Sequence, residues 1–153
     1  MPHKIDDIDK KILAILYRDG RAPVKEIAKA VFLSAPATAT RIERLEKNGI
    51  ISGYQARINP HAFGFALKAF INLEVAPGEK QEFYDLIRDI PNVISCDSVT
   101  GEYSMLIQAF FRDTEELDNF TGLLQRFGRT KTVISFSTPI EHGDFFSHEK
   151  KGD

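Results

Sequence analysis

The apolar residues of the chain recur at helical spacing up to about residue 48, and beyond Asn59-Pro60 they change between alternating and helical spacing. An Asn-Pro pair followed by Gly64 is typical of a connector between two folding units. The chain has 153 residues, of which 42% are hydrophobic, so its size and composition allow a substantial core. We therefore predict an α+β protein with a helical domain at residues 1–60 and a second domain at residues 61–153.

The second domain is predicted to combine strands and helices in the order βαββαβ. Apolar residues at every second position indicate strands at residues 67–75, 93–99, 103–111 and 133–140. Helical spacing indicates helices at residues 79–90 and 113–127. This order is that of the ferredoxin-like split arrangement, in which two helices cover one face of an antiparallel four-stranded sheet.

The other face of this sheet is expected to carry four large apolar side chains, Phe70, Leu106, Phe110 and Phe136. At about 2 kcal/mol of transfer free energy each, these side chains favour covering the face by several kcal/mol. We predict that a second copy of the sheet covers it in a homodimer. The alternative is that the helical domain or the C-terminal tail folds over it.

Capping residues predict three short helices in the first domain, at residues 6–16, 23–31 and 35–48. An Asp is suited to cap the start of the first helix, and Ser34 is suited to cap the start of the third. Gly20 and Gly49 are the expected C-terminal caps of these two helices. A short helix, a turn and another helix form a helix-turn-helix, and residues 50–59 are predicted to add the strand pair of a wing.

The third helix is predicted to have a buried face and a basic flank. Thr38, Ile42 and Leu45 fall on one side, where they would face the core. The flank combines small residues, which let a partner come close, with cations that reach phosphates or guanine edges in a major groove. The predicted DNA-binding residues are Ser34, Pro36, Ala37, Thr40, Arg41, Arg44 and Lys47. The alternative is a solvated helix with ordinary surface charges.

The formal charge of the chain is distributed unevenly between the two domains. Residues 1–60 hold 11 Lys and Arg against 7 Asp and Glu, which gives +4, whereas residues 61–153 carry −6 and the whole chain −2. A mildly basic domain on an acidic chain favours a polyanionic partner for that domain.

Several other classes of protein are not supported by the sequence. No apolar run approaches the ~20 residues of a membrane span and no signal-peptide core is evident, which predicts a cytoplasmic protein without a membrane partner. The single cysteine, Cys96, excludes an intramolecular disulfide and a multi-cysteine metal site. The usual hydrolase, metalloprotease and phosphate-loop motifs are absent, so we predict no enzyme activity and no cofactor. A solvated tail is a simpler interpretation than a metal site for Glu141, His142, Asp144 and His148.

Spaced motifs run along nearly the whole chain. In the first domain they are Ile8-Asp9-Lys10-Lys11-Ile12-Leu13, Asp19-Gly20-Arg21, Glu26-Ile27-Ala28, Leu33-Ser34, Arg41-Ile42-Glu43-Arg44-Leu45-Glu46, Gly49-Ile50-Ile51 and Gly53-Tyr54. Further along they are Asn59-Pro60, Phe63-Gly64-Phe65 and Val99-Thr100-Gly101-Glu102-Tyr103. Together these motifs resemble those of the Lrp/AsnC family, the leucine-responsive and asparagine regulators.

This resemblance implies a transcriptional regulator that binds double-stranded DNA and a small effector, expected to be an amino acid. It implies an effector site near a junction between dimers, and homodimers that assemble into tetramers or octamers. The effector residues to which it points are Gly101, Tyr103, Ser104, Ser135 and Ser137. Glycine lets a ligand approach backbone N–H groups, and serine hydroxyls offer neutral donors and acceptors. The alternative is a plain hairpin and an ordinary strand edge.

Two positions depart from the family pattern. Phe32 stands where family members usually have Gly in the turn of the helix-turn-helix. A positive φ would cost about 1 kcal/mol there, so we expect the turn to relax or the ring to pack on Val31 and the helices. Ser104 stands where relatives commonly have Asp, and its hydroxyl cannot supply the charge that would pair with an ammonium group. We therefore expect weaker amino-acid affinity or a changed ligand specificity.

Three functions remain compatible with the sequence. The first is a sequence-specific regulator whose oligomeric state or DNA occupancy responds to an amino acid. The second is an architectural protein that wraps DNA with little ligand response. The third is a ligand-binding or catalytic βαββαβ domain whose front helices serve only assembly.

Overall fold

The computed structural model describes residues 4–144 and 146. Its elements are α1 (Asp7–Arg18), α2 (Val24–Val31), α3 (Ala35–Lys47), β1 (Leu67–Leu73), α4 (Lys80–Arg88), β2 (Val93–Ser98), β3 (Met105–Phe111), α5 (Thr114–Gln125) and β4 (Thr130–Ser135). Short 3-10 turns precede β1 and α4, at Pro60–Phe63 and Pro77–Glu79. None of the helices in the described part of the chain is long and apolar enough to cross a membrane.

The chain divides into two compact units. The helical unit consists of the residues up to Arg57 together with those from Ile140 onward, and the sheet unit is Ile58–Pro139. The segment from Ile140, predicted as part of the second domain, therefore falls in the helical unit.

The apolar stripes of α1, α2 and α3 form the core of the helical unit, as their spacing predicts. Ile12, Ile27 and Leu45 contribute one fully or almost fully buried side chain from each helix. Thr38 is buried beside them, and its hydroxyl donates to the Ser34 carbonyl at 3.0 Å. This hydrogen bond satisfies a polar group that the core would otherwise leave unpaired.

Side-chain caps begin α1 and α3. The Asp6 carboxylate accepts a hydrogen bond from the Asp9 N–H at 2.8 Å, and the Asp9 carboxylate accepts from the Asp6 N–H at 3.3 Å. This reciprocal pair is a capping box, which satisfies two of the free N–H groups at the helix start. Ser34 Oγ accepts from the Ala37 N–H at 3.3 Å and caps α3 as predicted.

The two predicted glycine caps have different outcomes. Gly49 follows α3 with φ 70°, the left-handed conformation that commonly ends a helix. The prediction that Gly20 caps α1 is wrong, because α1 ends one residue before Asp19, which takes an extended conformation. The Asp19 N–H donates to the Ile15 carbonyl at 2.9 Å, so the last turn is closed without a left-handed residue.

Phe32, the C-cap of α2, has a left-handed backbone with φ 58° and ψ 42°, and its side chain is 90% exposed. The expectation that the turn relaxes or the ring packs on Val31 is therefore wrong. The turn persists because it satisfies the end of α2: the Phe32 N–H donates to the Lys29 carbonyl at 3.3 Å, and the Leu33 N–H to the Ala28 carbonyl at 3.0 Å. For a residue with a Cβ this conformation costs on the order of 1 kcal/mol relative to Gly.

The predicted strand pair of a wing at residues 50–59 is also wrong, since the described residues form no strand between α3 and β1. A strand needs a hydrogen-bonded neighbour, but the N–H groups of the first residues after α3 form other hydrogen bonds. Those of Ile50 and Ile51 donate to the Leu45 carbonyl at 2.9 and 3.1 Å, which ties the segment to the end of α3. The chain then continues as exposed, non-repetitive backbone to Ile58.

The C-terminal segment packs on the end of α1. The Tyr17 hydroxyl donates to the Gly143 carbonyl at 2.7 Å, and Arg18 Nε donates to the Asp144 carboxylate at 2.7 Å. The rings of Tyr17 and Phe146 meet edge to face with centroids 5.6 Å apart. These contacts explain why the segment belongs to the helical unit although it follows β4 in sequence.

The four strands of the sheet unit pair antiparallel in the order β2-β3-β1-β4. The central pair aligns Leu67 with Phe111 and Leu73 with Met105. Every second residue of β1 and β3 is buried together with apolar residues of α4 and α5, including Phe83 and Leu124. This arrangement confirms the predicted ferredoxin-like fold, with a fully apolar core on the helix-covered face.

The last strand lies earlier in the sequence than predicted. Its pairing with β1 begins at Thr130, opposite Leu73, and the Glu74 N–H donates to the Arg129 carbonyl at 3.0 Å just before it. The strand consequently ends at Ser135 rather than at residue 140, and Phe136 follows it fully exposed. The open face therefore carries Phe70, Leu106 and Phe110, as predicted, with Val133 opposite Phe70 in place of Phe136.

Candidate DNA-binding face and effector loop

One side of α3 is exposed and one side is buried. Thr38, Ile42 and Leu45 are buried, as the helical spacing predicts. The exposed residues at the start and along the outer side of the helix are Ser34, Pro36, Ala37, Thr40, Arg44 and Lys47. Thr40 directs its hydroxyl proton to the Pro36 carbonyl at 3.0 Å, which orders the first turn of this side. Six of the seven predicted DNA-binding residues thus lie on an accessible surface.

Arg41, the seventh, faces α1 instead of solvent. Its guanidinium donates from Nη1 to the Asp6 carboxylate at 2.7 Å and to the Asp9 carboxylate at 2.8 Å. Arg44 adds a weaker contact, with Nη2 3.3 Å from both Asp9 oxygens. The Asp9 side chain is fully buried, whereas those of Arg41 and Arg44 are 24% and 43% exposed. The two arginines therefore brace α3 against α1 through a buried carboxylate.

The hydrogen bonds of this network favour its charged forms. The Asp9 N–H and the Arg41 guanidinium lower the pKa of the Asp6 carboxyl, with the Asp9 N–H contributing most. Hydrogen bonds to Asp6 and then to Asp9 raise the pKa of Arg41. Both shifts favour the charged forms of Asp6 and Arg41, and the carboxylate of Asp6 partly compensates the charge of Arg41.

Asp9 is a buried member of this network that is not among the predicted site residues. It lies three and four positions before Ile12 and Leu13, on the apolar side of α1. A carboxylate in a buried stripe requires a cationic or hydrogen-bonding partner. This spacing predicts a buried carboxylate, but only the packing of α1 on α3 shows that its partners are arginines of α3.

The predicted effector residues of the loop between β2 and β3 lie together. Gly101 has φ 112°, a conformation that favours glycine, and Tyr103 and Ser104 follow it toward β3. Ser104 Oγ accepts from the Val75 N–H at 2.9 Å and lies 3.4 Å from the Leu73 carbonyl. The Ser104 hydroxyl is therefore engaged by the backbone at the end of β1.

The other two predicted effector residues lie at the opposite end of the sheet. Ser135 pairs with Lys68, five residues along β1 from Leu73, whose carbonyl accepts from the Ser104 N–H. At about 3.4 Å per residue this separation is about 17 Å. Ser135 Oγ donates to the Ser137 carbonyl at 3.0 Å, and Ser137 lies beyond β4 rather than on it as predicted. One chain therefore does not bring the five effector residues together.

A charged cluster flanks the loop. Arg129 forms ion pairs with Glu102 at 2.8 Å and Glu74 at 3.3 Å, and its guanidinium lies 5.1 Å from the centroid of the Tyr103 ring. Tyr103, followed by Glu102, contributes most to raising the pKa of Arg129. This exposed cluster gives the loop both signs of charge next to an aromatic ring.

The described residues give little support for a reactive cysteine or a metal site. Burial raises the pKa of the Cys96 thiol, which argues against a reactive thiolate there. Residues 4–144 and 146 contain no group of three His, Cys, Asp or Glu side chains arranged to hold a metal ion. His148 of the predicted solvated tail lies outside the described residues.

Two family models match successive parts of the chain. Residues 5–46 match the AsnC-type helix-turn-helix domain, and residues 68–145 match the Lrp/AsnC ligand binding domain. The HTH-type transcriptional regulator FL11 of Pyrococcus furiosus is 36% identical over 133 residues, which cover 85% of this chain and 88% of FL11. The HTH-type transcriptional regulator LrpA of Mycobacterium tuberculosis is 37% identical over 141 residues, 92% of each chain.

The fold is also found in solved structures of transcriptional regulators. One from Neisseria meningitidis, crystallised as a complex with L-methionine, superposes with a TM-score of 0.86 at 30% identity and covers 92% of this chain and 96% of its own. The two family models and the relatives match most of the chain, and they match it where the structure has the helix-turn-helix and the ferredoxin-like sheet. The chain belongs to the Lrp/AsnC family of DNA-binding transcriptional regulators, with a ligand-binding domain and no enzymatic role.

Proposed function

We propose that this regulator is a homodimer that reads a specific DNA sequence with α3 and changes its DNA occupancy when an amino acid binds the sheet unit. The exposed side of α3 is the observation that carries the proposal. Pro36, Ala37 and Thr40 are small and accessible at its N-terminal half, and Lys47 is accessible at its end. Such a surface allows close approach to base edges and a charge contact with phosphate.

In this proposal the arginines of α3 have different roles from the small residues. Arg41 is held by Asp6 and Asp9, so it positions the helix rather than reading bases. Arg44 is nearly half exposed and remains able to reach a phosphate while it contacts Asp9. Sequence reading then depends on Ala37, Thr40 and their neighbours, and phosphate affinity depends on Arg44 and Lys47.

The open face of the sheet supports the homodimer. Phe70, Leu106, Phe110 and Val133 are only partly covered by their own chain. A twofold copy of the same face would remove these side chains from water and would present two α3 helices to half-sites about 34 Å apart, or a multiple of that spacing. Assembly of dimers into tetramers or octamers is part of the same proposal.

The arrangement of the effector residues supports a site made by more than one chain. Gly101, Tyr103 and Ser104 lie about 17 Å along the sheet from Ser135, so a ligand can meet both groups only where chains adjoin. Arg129 and Glu102 beside Tyr103 offer opposite charges that suit an amino acid's carboxylate and ammonium. The L-methionine complex of the Neisseria meningitidis regulator makes methionine the first amino acid to test.

A second candidate is an architectural DNA-wrapping protein with little ligand response. The observation that favours it is Ser104, whose hydroxyl is already bonded to the Val75 N–H and carries no charge for an ammonium group. Both candidates place the protein in the cytoplasm with the DNA, and they differ only in the effect of ligand.

Genomic fragment selection with the purified full chain, with and without each of the twenty amino acids, tests the proposal. We expect a twofold motif, and an occupancy change of about 5–150-fold with one amino acid, the range of a typical coupling of ~1–3 kcal/mol. A motif that no amino acid affects would favour the architectural candidate. Failure to enrich any DNA would contradict both.

A pair of variants tests the α3 surface directly. Ala37→Glu places a negative charge on the exposed side of the helix, and we expect at least a tenfold loss of affinity for the selected motif. Ala62→Glu adds the same charge at an exposed position of the sheet unit and should leave affinity within twofold. Equal effects of the two variants would mean that α3 is not the reading surface.

A further inference from the structure

We propose that the Phe32 ring is an additional DNA contact, packed on the sugar edge or a thymine methyl of the duplex beside α3. The proposal rests on DNA binding by the helical unit and adds a residue that was not among the predicted DNA-binding residues. Its two supports are the backbone conformation of Phe32 and the position of its exposed ring.

The conformation of Phe32 is unfavourable for the residue that occupies it. Among residues 4–144 and 146, Phe32 is the only residue other than glycine with a positive φ. Glycine would adopt φ 58° without a steric penalty, and the same two hydrogen bonds would close α2. Strained residues of this kind concentrate at binding and switch sites, so the phenylalanine requires an explanation beyond the turn itself.

The exposure of the ring removes the usual explanation. The side chain is 90% exposed, and the following residue, Leu33, supplies the apolar contact of this turn with the core. A single exposed apolar residue is ordinary on a protein surface. An exposed aromatic ring on a left-handed backbone gains nothing within its own chain, and it therefore points to a partner.

The sequence around Phe32 carries little negative charge that would repel a polyanion. Phe32 is only two residues before Ser34, the N-cap of α3, so its exposed side chain belongs to the turn that leads into this helix. The stretch at residues 27–42 contains Lys29 and Arg41 but no Asp or Glu. The nearest preceding carboxylate, that of Glu26, is paired with Lys29 at 2.9 Å. The segments that flank this turn in sequence therefore add no unpaired carboxylate that would repel a duplex.

An aromatic ring can add affinity without adding charge. Apolar side chains contact thymine methyl groups in the major groove and pack on sugars or between base steps. Loss of the ring should therefore reduce affinity while the number of released counterions stays constant. This property separates Phe32 from the cationic residues of α3.

Phe32→Gly in the full chain tests the proposal because stability and affinity should change in opposite directions. Removing the strain should raise the melting temperature by about 2–4 °C, while affinity for the selected motif should fall about 5–20-fold. Misfolding cannot produce that combination. Affinity within twofold of wild type would overturn the proposal, and so would a loss of affinity that accompanies a lower melting temperature.

Salt titrations and conservative variants sharpen the result. Phe32→Gly should leave the slope of log affinity against log salt unchanged, whereas Lys47→Ala should reduce it by about one. Phe32→Leu retains an apolar side chain and should keep affinity within threefold, whereas Phe32→Asn tolerates the left-handed turn and should lose as much as Phe32→Gly. Equal affinity for the Leu and Asn variants would overturn an apolar contact.

A fluorescent substitution reports the contact directly. The chain contains no tryptophan, so Phe32→Trp places a single reporter at the turn, and Phe63→Trp places one at an exposed control position in the sheet unit. We expect DNA to protect only the first reporter from iodide quenching. Protection of neither while DNA is bound would overturn the Phe32 proposal alone, whereas absence of DNA binding by the wild-type chain would contradict the proposed function itself.

Discussion

The helical unit and the sheet unit stabilise their interiors by different means. Asp9 and Thr38, both in the helical unit, are the buried polar or charged residues of the described chain, and the carboxylate is matched by two arginines of α3. The core of the sheet unit is entirely apolar, and its unusual surface is the open face that carries Phe70 and Phe110. Ionic contacts therefore help to orient α3 on α1, whereas apolar packing holds the core of the sheet unit together.

The largest expected effect concerns close packing in the sheet unit. A Cβ added to Gly128, which has φ 155°, would lie 1.8 Å from the Glu74 carbonyl oxygen. Gly128→Ala must displace backbone, and we expect a loss of about 3 kcal/mol in the free energy of unfolding. Gly122→Ala, at an open position within α5, should instead stabilise by about 0.5–1 kcal/mol. Denaturant titration measures both, and equal values would refute the packing argument.

A slightly smaller effect is expected from the ionic core of the helical unit. Asp9→Ala leaves Arg41 without its buried partner and should cost about 2–3 kcal/mol, less than a fully buried pair because the arginines are partly exposed. Amide hydrogen exchange should accelerate in α1 and α3 but not in β1 or β3. Asp7→Ala, which removes an exposed carboxylate paired with Lys10 at 3.4 Å, is the matched control. An equally small loss of stability in both variants would mean that the buried carboxylate does not stabilise the helical unit more than an exposed one does.

The open face provides the next test. Phe110→Glu places a charge where the second copy is proposed to pack, and we expect the dimer dissociation constant to rise at least tenfold. Gln125→Glu on the exposed side of α5 should leave it unchanged. Light scattering across a dilution series measures the mass of the assembly at each protein concentration. A dimer that survives Phe110→Glu would mean that another surface joins the chains.

The smallest expected effect is a dependence on alkaline pH confined to the helical unit. Burial, assisted by the hydrogen bond to Glu46, raises the pKa of Tyr54 from 10.0 to about 12. The folded state therefore favours the protonated phenol, and its contribution to stability is complete below pH 10 and lost as the pH rises toward 12. Tyr54→Phe should flatten thermal stability in that window without altering it at pH 7 by more than about 1 kcal/mol. An unchanged profile would contradict the raised pKa.

Local sequence signals were sufficient for most of the helical unit. The start of α3 follows from Ser34, and its end follows from Gly49, because both residues act within one helical turn. The exposed side of the helix was predictable for the same reason. The roles of Arg41 and Asp9 were not predictable, since their contact joins two helices 32 positions apart.

Long-range pairing explains the other differences. The start of β4 depends on its register with β1 and on the approach of Gly128 to Glu74, neither of which alternation along the strand reveals. Residues 50–59 have no partner strand in the described part of the chain, so the predicted wing is absent there. The effector residues follow from the family resemblance alone, and within one chain they are separated because Ser135 and Ser137 lie at the far end of the sheet.

The contact between the C-terminal segment and α1 has a consequence for biosynthesis. Tyr17 and Gly143 are 126 positions apart, yet both belong to the helical unit. During translation the whole sheet unit leaves the ribosome before Gly143 is available to the Tyr17 hydroxyl. The domain whose synthesis begins first therefore cannot be completed until β4 and the residues that follow it have been synthesised.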